Sequence, residues 1–146
     1  MGTTSSLWTV QAASKRMELA ATPDAVGAAG AVLARIAARV GLAPEEGRRL
    51  VAALCEIVLN ACTYAYGARR GAIVVRIDCR HGVLRMQVAD SGRGFDCLAY
   101  FNADGSPTSR CSPDSGLLAA ARAVDRMYVQ SGGDGTRVTM VKRLHQ

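Results

Sequence analysis

The chain has 146 residues, 49% of them hydrophobic, and a formal net charge of +6 at pH 7. This is enough for one domain with a sizeable core, and no apolar run approaches the roughly 18 residues of a membrane span. The five cysteines are odd in number and include no Cys-x-x-Cys pair, which argues against a disulfide framework or a zinc site. Because the first residues also lack a signal-peptide pattern, we expect a cytoplasmic protein without a membrane partner.

The positive charge raises the question of nucleic-acid binding. Along the sequence the basic residues are scattered, as in the pairs Arg48-Arg49, Arg69-Arg70 and Lys142-Arg143. Aromatic residues make up 5% of the chain, too few for base-stacking platforms. We therefore interpret the arginines as a solvated surface and expect no nucleic-acid partner.

The first part of the chain predicts a flexible segment, an edge strand and a helix. Residues 1–14 are the expected flexible segment, residues 15–146 a single domain, and residues 15–19 an edge strand. Thr22-Pro23-Asp24 is typical of a helix start, with Thr as the cap, Pro in the first turn and an acid near the positive end. Apolar residues then recur at helical spacing until Gly41: Val26, Ala29, Leu33, Ile36 and Val40.

A second helix and a hairpin follow. The helix begins at Pro44 and ends before Gly67, with a core stripe of Leu50, Leu54, Ile57, Ala61 and Tyr64. Residues 72–80 then alternate, with Ile73, Val75, Ile77 and Cys79 on one face. His81-Gly82 predicts a tight turn into a second alternating strand, so the two strands should form an antiparallel hairpin.

The last part of the chain predicts a long loop, a helix and a second hairpin. Residues 96–115 have no periodicity, and such a segment in a compact domain is typical of a lid. A helix at 116–124 precedes strands at 126–130 and 136–144, which a glycine-rich stretch from Ser131 to Gly135 connects. The order predicts an α+β fold, a two-layer α/β sandwich with a mostly antiparallel sheet and the helices on one face.

Asp90 is the most informative residue for function. The period of two places it on the same strand face as the apolar residues Leu84, Met86 and Val88. A carboxylate there is costly unless groups donate hydrogen bonds to it. Gly92 and Gly94 follow, where the backbone can approach a ligand closely.

Glu56 and Asn60 are the second pair of candidates. They are four residues apart on a predicted helix and therefore project from the same side of it. A helical Glu/Asn pair alone is usually solvated, and Asp-x-Gly-x-Gly alone is usually a hairpin turn. Together, in their predicted helix and strand contexts, they predict a nucleotide site.

These motifs resemble those of a known family. Residues 56–67, Glu-Ile-Val-Leu-Asn-Ala-Cys-Thr-Tyr-Ala-Tyr-Gly, resemble the N box of the Bergerat-fold (GHKL) ATPases, and residues 90–95, Asp-Ser-Gly-Arg-Gly-Phe, resemble their first glycine box. Residues 115–118 resemble a remnant of the second box, and Gly135-Thr136 resembles the Gly-Thr pair near the end of the fold. The resemblance spans residues 15–144 and is greatest to the bacterial anti-sigma-factor serine kinases.

The resemblance implies ATP and Mg²⁺ as cofactors and a role for each site residue. Asp90 would accept a hydrogen bond from the adenine amine, Asn60 would bind Mg²⁺, and Glu56 would act as the general base. Thr136 would support Asp90 through a water molecule. The other nucleotide-binding candidates are Gly92, Gly94 and Phe95 around the base, and Arg110, Gly116 and Leu117 near the phosphates.

The resemblance also implies the partners: an alternative sigma factor, an anti-anti-sigma antagonist with a phosphorylatable serine, and a second copy bound through the sheet side away from ATP. Two residues depart from the family pattern. Asp114 stands at the first position of the second glycine box, where an acid would repel phosphates, and Tyr64 stands where many relatives carry histidine. An alternative hypothesis is therefore a catalytically silent nucleotide-binding module that sequesters a partner. A third hypothesis, a histidine-kinase catalytic fragment, is less favoured, because no dimerisation helix with a phosphoacceptor histidine is recognisable.

Overall fold

A computed structural model describes residues 13–64, 71–92 and 116–144. Within these ranges the chain forms five strands and three helices. In chain order they are β1 (Ala13–Ala20), α1 (Asp24–Arg39), α2 (Pro44–Tyr64), β2 (Ala72–Arg80), β3 (Val83–Asp90), α3 (Gly116–Ala123), β4 (Arg126–Gly132) and β5 (Gly135–Arg143).

The strands form one antiparallel sheet in the order β1-β2-β3-β5-β4. Helix α2 packs against β3, α1 and α3 both pack against α2, and α1 also contacts β1. The helices therefore form a layer on one face of the sheet, which confirms the predicted α+β sandwich. No helix in the described ranges is long and apolar enough to cross a membrane.

The hairpin of β2 and β3 lies at the centre of the core and matches its prediction. The four β2 side chains expected to face inward, Ile73, Val75, Ile77 and Cys79, are fully buried, as are Leu84 and Met86 on β3. His81 and Gly82 have φ angles of 52° and 74°. A turn with two consecutive positive φ angles matches the twist of the flanking strands, so the turn sets this register.

Helix α1 ends as predicted but begins differently. Gly41 has a φ of 83° at the C-terminus, a conformation that glycine adopts without strain. At the N-terminus no side chain caps the helix, so the prediction that Thr22 is the cap is wrong. Pro23 already has helical angles, and the Thr22 carbonyl accepts a hydrogen bond from the Ala25 amide at 2.9 Å. The backbone here satisfies a helix donor without the Thr22 hydroxyl.

Strands β4 and β1 are longer than the sequence pattern indicated, and β5 begins one residue before its expected start. Strand β4 extends through Gly132 and β5 begins at Gly135, so only Gly133 and Asp134 connect them. Strand β1 likewise begins at Ala13, before its expected start. Glycine and serine are weak strand formers, but the pairing of Ser131 with Thr136 continues the ladder through them.

An ion pair connects helix α2 to the sheet at the end that lies away from Asp90. The Lys142 ammonium on β5 lies 3.2 Å from the Glu46 carboxylate in the first turn of α2 and 3.9 Å from Asp125. The Lys142 side chain is only 15% exposed, so the pair is less screened than a surface pair. It helps fix the position of α2 over the sheet.

Truncation of two leucines on α2 to alanine should lower the free energy of unfolding by different amounts. Leu54→Ala should lower the free energy of unfolding by about 2–5 kcal/mol, because Leu54 is fully buried and its truncation leaves a cavity. Leu59→Ala should cost less than about 0.5 kcal/mol, because Leu59 is 44% exposed. Urea denaturation followed by circular dichroism measures both, and equal losses would contradict the packing described.

Candidate nucleotide-binding site

The helix-facing side of the sheet changes from apolar to polar at one end. Val88 on β3 lies opposite Val75 and Val138, so this row is apolar. Two residues further along β3, Asp90 lies opposite Ile73 on β2 and Thr136 on β5, and Thr136 lies opposite Ser131 on β4. We call Asp90, Thr136 and Ser131 the polar row.

The backbone holds the Asp90 carboxylate in place. Its Oδ1 accepts hydrogen bonds from the Gly92 amide at 2.9 Å and the Thr136 amide at 3.3 Å. These donors offset the cost of placing a carboxylate at the end of an apolar face. Within the described residues Oδ2 has no donor, so one oxygen is fixed and the other can accept a bond from a ligand.

Gly135 makes this arrangement possible. It has a φ of 127°, and a Cβ there would lie 2.0 Å from the Asp90 carbonyl oxygen and 2.8 Å from the Ser91 Cα. Any other residue would push the start of β5 away from the end of β3. The close approach allows the next residue, Thr136, to donate its amide to Asp90.

The amide and the hydroxyl of Thr136 have different neighbours. The backbone amide donates directly to Asp90, and support of Asp90 through a water molecule stays a prediction. The hydroxyl oxygen lies 2.7 Å from the Ser131 hydroxyl. Ser131 was not predicted as a site residue, because the glycine-rich stretch around it is typical of a connection between strands. Continuing the β4 alternation from Met127 would have placed Ser131 on the inner face.

Glu56 and Asn60 lie one turn apart on α2, the helix that packs against β3. Both are half-buried, and neither side chain makes a hydrogen bond or ion pair with any other described residue. An amide oxygen suits Mg²⁺, and a carboxylate on the same helix face suits proton acceptance. The negative charge of Glu56 adds to burial, the larger cause, in raising the pKa of the neighbouring Cys55 thiol.

The cysteines do not form a reactive centre in the described ranges. Burial raises the pKa of the Cys62 thiol and of the Cys79 thiol, so both are protonated at neutral pH and poor as nucleophiles or ligands. The thiols of Cys55 and Cys62 instead lie 3.8 and 3.4 Å from carbonyl oxygens at the start of α1. No cluster of three or more His, Cys, Asp or Glu able to hold a metal occurs among the described residues.

Several predicted site residues lie outside the described residues. They are Gly94, Phe95, Arg110, Asp114 and the remainder of the predicted lid at 96–115. Gly116 and Leu117 form the first positions of α3, whose N-terminus follows that segment. The structure thus brings together Asp90, Gly92 and Thr136, and places Glu56 and Asn60 on one adjacent helix.

Comparison with known proteins agrees with the fold. The histidine kinase-like ATPase domain matches residues 19–142. This chain belongs to that family.

Particular relatives are more informative. The chain is 30% identical over 139 residues to the serine-protein kinase RsbW of Bacillus pumilus (strain SAFR-032), covering 89% of this chain and 85% of RsbW. A structure of the RsbU and RsbW domains of Rv1364c from Mycobacterium tuberculosis superposes with a TM-score of 0.68 at 25% identity over 92% of this chain. The histidine kinase domain of the blue-light activated kinase of Erythrobacter litoralis gives 0.59 at 23% identity over 80% of this chain, a likeness of fold alone. The chain covers 33% and 61% of these two structures, respectively.

The close approach at Gly135 predicts a position-specific effect of alanine within one hairpin. Gly135→Ala should lower the free energy of unfolding by more than about 1 kcal/mol, because the new Cβ clashes with Asp90 and the φ is unfavourable. Gly133→Ala, whose Cβ would meet nothing within 4 Å, should change it by less than about 0.5 kcal/mol. Thermal unfolding of the two variants is the measurement, and equal midpoints would contradict the contact.

Proposed function

We propose that this chain is an ATP-binding protein serine kinase that also acts as an anti-sigma factor. The observation that carries the proposal is the Asp90 carboxylate, which backbone amides hold at the end of β3 beside the helix that carries Glu56 and Asn60. Similarity to a protein named serine-protein kinase supports the reaction class.

In the proposed recognition of adenine, the two oxygens of the Asp90 carboxylate have different roles. Oδ1 is occupied by the Gly92 and Thr136 amides, so Oδ2 is oriented to accept from the exocyclic amine of adenine. Guanine presents a carbonyl at this position, and two acceptors would face each other. The fixed carboxylate thus selects ATP over GTP.

Phosphoryl transfer rests on helix α2. Asn60 would hold Mg²⁺ through its amide oxygen; the ion neutralises charge on the phosphates and orients them. Glu56, one helical turn away, would accept the proton of the attacking serine hydroxyl. We propose that the predicted lid at residues 96–115, with Arg110, covers the phosphates. The amides of Gly116 and Leu117 would contact them.

The partners proposed are an alternative sigma factor and an antagonist protein that carries the acceptor serine. Phosphorylation of the antagonist would release it and free this chain to capture the sigma factor. This cycle requires a compartment shared with the transcription machinery, so we place the protein in the cytoplasm. A homodimer completes the proposal.

One sequence observation favours a second candidate. Asp114, at the start of the second glycine box, would place a carboxylate near the phosphates and oppose their binding there. A protein that binds nucleotide but transfers no phosphate would still sequester a partner. The two candidates share the adenine site and differ only in catalysis.

Nucleotide selectivity tests the role of Asp90. At about 100 times its dissociation constant, Mg²⁺-ATP should stabilise the wild type by about 2.7 kcal/mol in a thermal shift assay, with a smaller effect of Mg²⁺-GTP. Asp90→Asn keeps an oxygen for the two backbone amides but turns a donor toward the base. The variant should lose about 10- to 100-fold in ATP affinity and discriminate less against GTP. Unchanged preference for ATP would reject the assignment.

Transfer of labelled phosphate from Mg²⁺-ATP to a purified antagonist separates the kinase from the silent module. Glu56→Gln should lower the transfer rate by about 10²- to 10⁴-fold while ATP binding persists. Glu45→Gln, an exposed position near the start of the same helix, is the matched control and should retain the rate. Tight ATP binding by the wild type without any transfer would leave only the silent module.

A further inference from the structure

The face of the sheet opposite the helices carries most of the excess positive charge of the molecule. We call it the open face; it consists of the outward residues that alternate with the buried ones on the five strands. Seven arginines lie on it, all exposed: Arg16, Arg76, Arg80, Arg85, Arg126, Arg137 and Arg143. Its acidic residues are Glu18 and Asp78, so the excess is five of the net six positive charges of the chain.

This clustering is not visible in the sequence, where the arginines are far apart. The register brings them together: Arg16 on β1 lies directly opposite Arg76 on β2. Val141 on β5 lies between Arg85 on β3 and Arg126 on β4. Neighbouring strands are about 4.8 Å apart, so separate single arginines become one surface. The structure therefore corrects the interpretation of the arginines as scattered.

Three arginines of the open face lack an acidic partner among the described residues. Arg16 and Arg76, a directly opposed like-charge pair, destabilise the sheet. In the described part of the chain neither they nor Arg85 form an ion pair. Asp78, which lies opposite Arg85, instead accepts a hydrogen bond from the Ser14 hydroxyl at 2.6 Å. An acidic partner would relieve this repulsion.

We propose that the open face is a docking surface for a protein with an acidic surface. This inference needs no nucleotide and goes beyond the kinase assignment. Arginine and tyrosine are enriched at the centres of protein interfaces, and the open face combines its arginines with the exposed Tyr128. Two shallow depressions meet at Arg85, one lined by Asp78, Arg80 and Val83 and the other by Gln87, Tyr128 and Val141.

The chemistry of the open face favours a protein over nucleic acid. Asp78 lies inside the arginine cluster and lines one depression, where it would repel a phosphate but accept donors from a protein. Apolar Val83 and Val141 line the same depressions and offer nothing to a phosphate backbone. Among the described side chains of this face Tyr128 is the one aromatic residue, which is too few for base stacking.

The same charges oppose a second copy of this chain. A two-fold interface places the same surface on both sides, so five excess positive charges would face five more. The homodimer implied by the family resemblance would bring these surfaces together if it used the sheet side. An acidic partner has the complementary charge, and steering by that charge would make association fast and salt-dependent.

The test compares a double variant with reversed charges on the open face with a matched double variant on the helices. Arg76→Glu/Arg85→Glu changes the open face, and Arg35→Glu/Arg48→Glu makes the same change in net charge on exposed helix positions. The probes are a fluorescein-labelled peptide of alternating glutamate and serine and a single-stranded oligonucleotide of equal charge. Fluorescence anisotropy at low and high salt measures both, and sedimentation velocity gives the oligomeric state.

The peptide should bind the wild type at low salt, and the open-face variant should bind at least about tenfold more weakly. The helix variant should lose less than about twofold. Arg76→Glu alone should also raise the melting temperature, because it replaces a repulsive cross-strand pair with an attractive one. The same thermal unfolding measurement on the double variant shows that the open-face variant is folded.

Four results would overturn the proposal. The first is no peptide binding by the wild type at low salt. The second is an equal loss of peptide affinity in the open-face and helix variants, which would mean that only net charge matters. The third is tighter binding of the oligonucleotide with the same dependence on the arginines. The fourth is a wild-type dimer that only the open-face variant abolishes. Kinase activity and ATP binding enter none of these results, so failure here is distinguishable from failure of the proposed function.

Discussion

The site depends on the placement of one carboxylate at the end of a buried strand face. Strand alternation puts Asp90 on the same side as the core residues of β3, and a carboxylate in that position requires donors. The Gly92 and Thr136 amides are those donors. The Thr136 amide reaches Asp90 only because Gly135 has no side chain to separate the two strands. One electrostatic requirement thus fixes the backbone at the ends of both β3 and β5.

The rest of the molecule holds a rigid helix over this carboxylate. Buried leucines of α2 pack against the apolar rows of the sheet, and Lys142 binds Glu46 at the start of the same helix. Glu56 and Asn60 belong to this anchored helix and not to a loop. The proposed phosphoryl transfer would rely on positioning and charge neutralisation, and a packed helix would lower the cost of orienting both groups.

The sequence predicted those parts of the fold that depend on local patterns. The β2–β3 hairpin was predicted because alternation and the turn at His81-Gly82 act together over few residues. Ser131 was missed because it lies in a glycine-rich stretch, where long-range pairing with Thr136 outweighs weak strand propensity. The open face was missed because the opposition of Arg16 and Arg76 depends on a register that joins residues sixty positions apart. Partners across a sheet are not encoded by neighbours in the chain.

Alternation gives this single sheet two chemically separate surfaces. Thr136 on β5 points to the helix side and contacts the carboxylate site, whereas its neighbour Arg137 points to the open face. The buried rows of the core lie between the two sides, so a charge change at Arg76 or Arg85 leaves the hydrogen bonds of Asp90 in place. Distant sites without shared partners have additive effects. Substitutions on the open face therefore test the proposed partner docking, and those in the polar row test the proposed nucleotide binding, within the same folded domain.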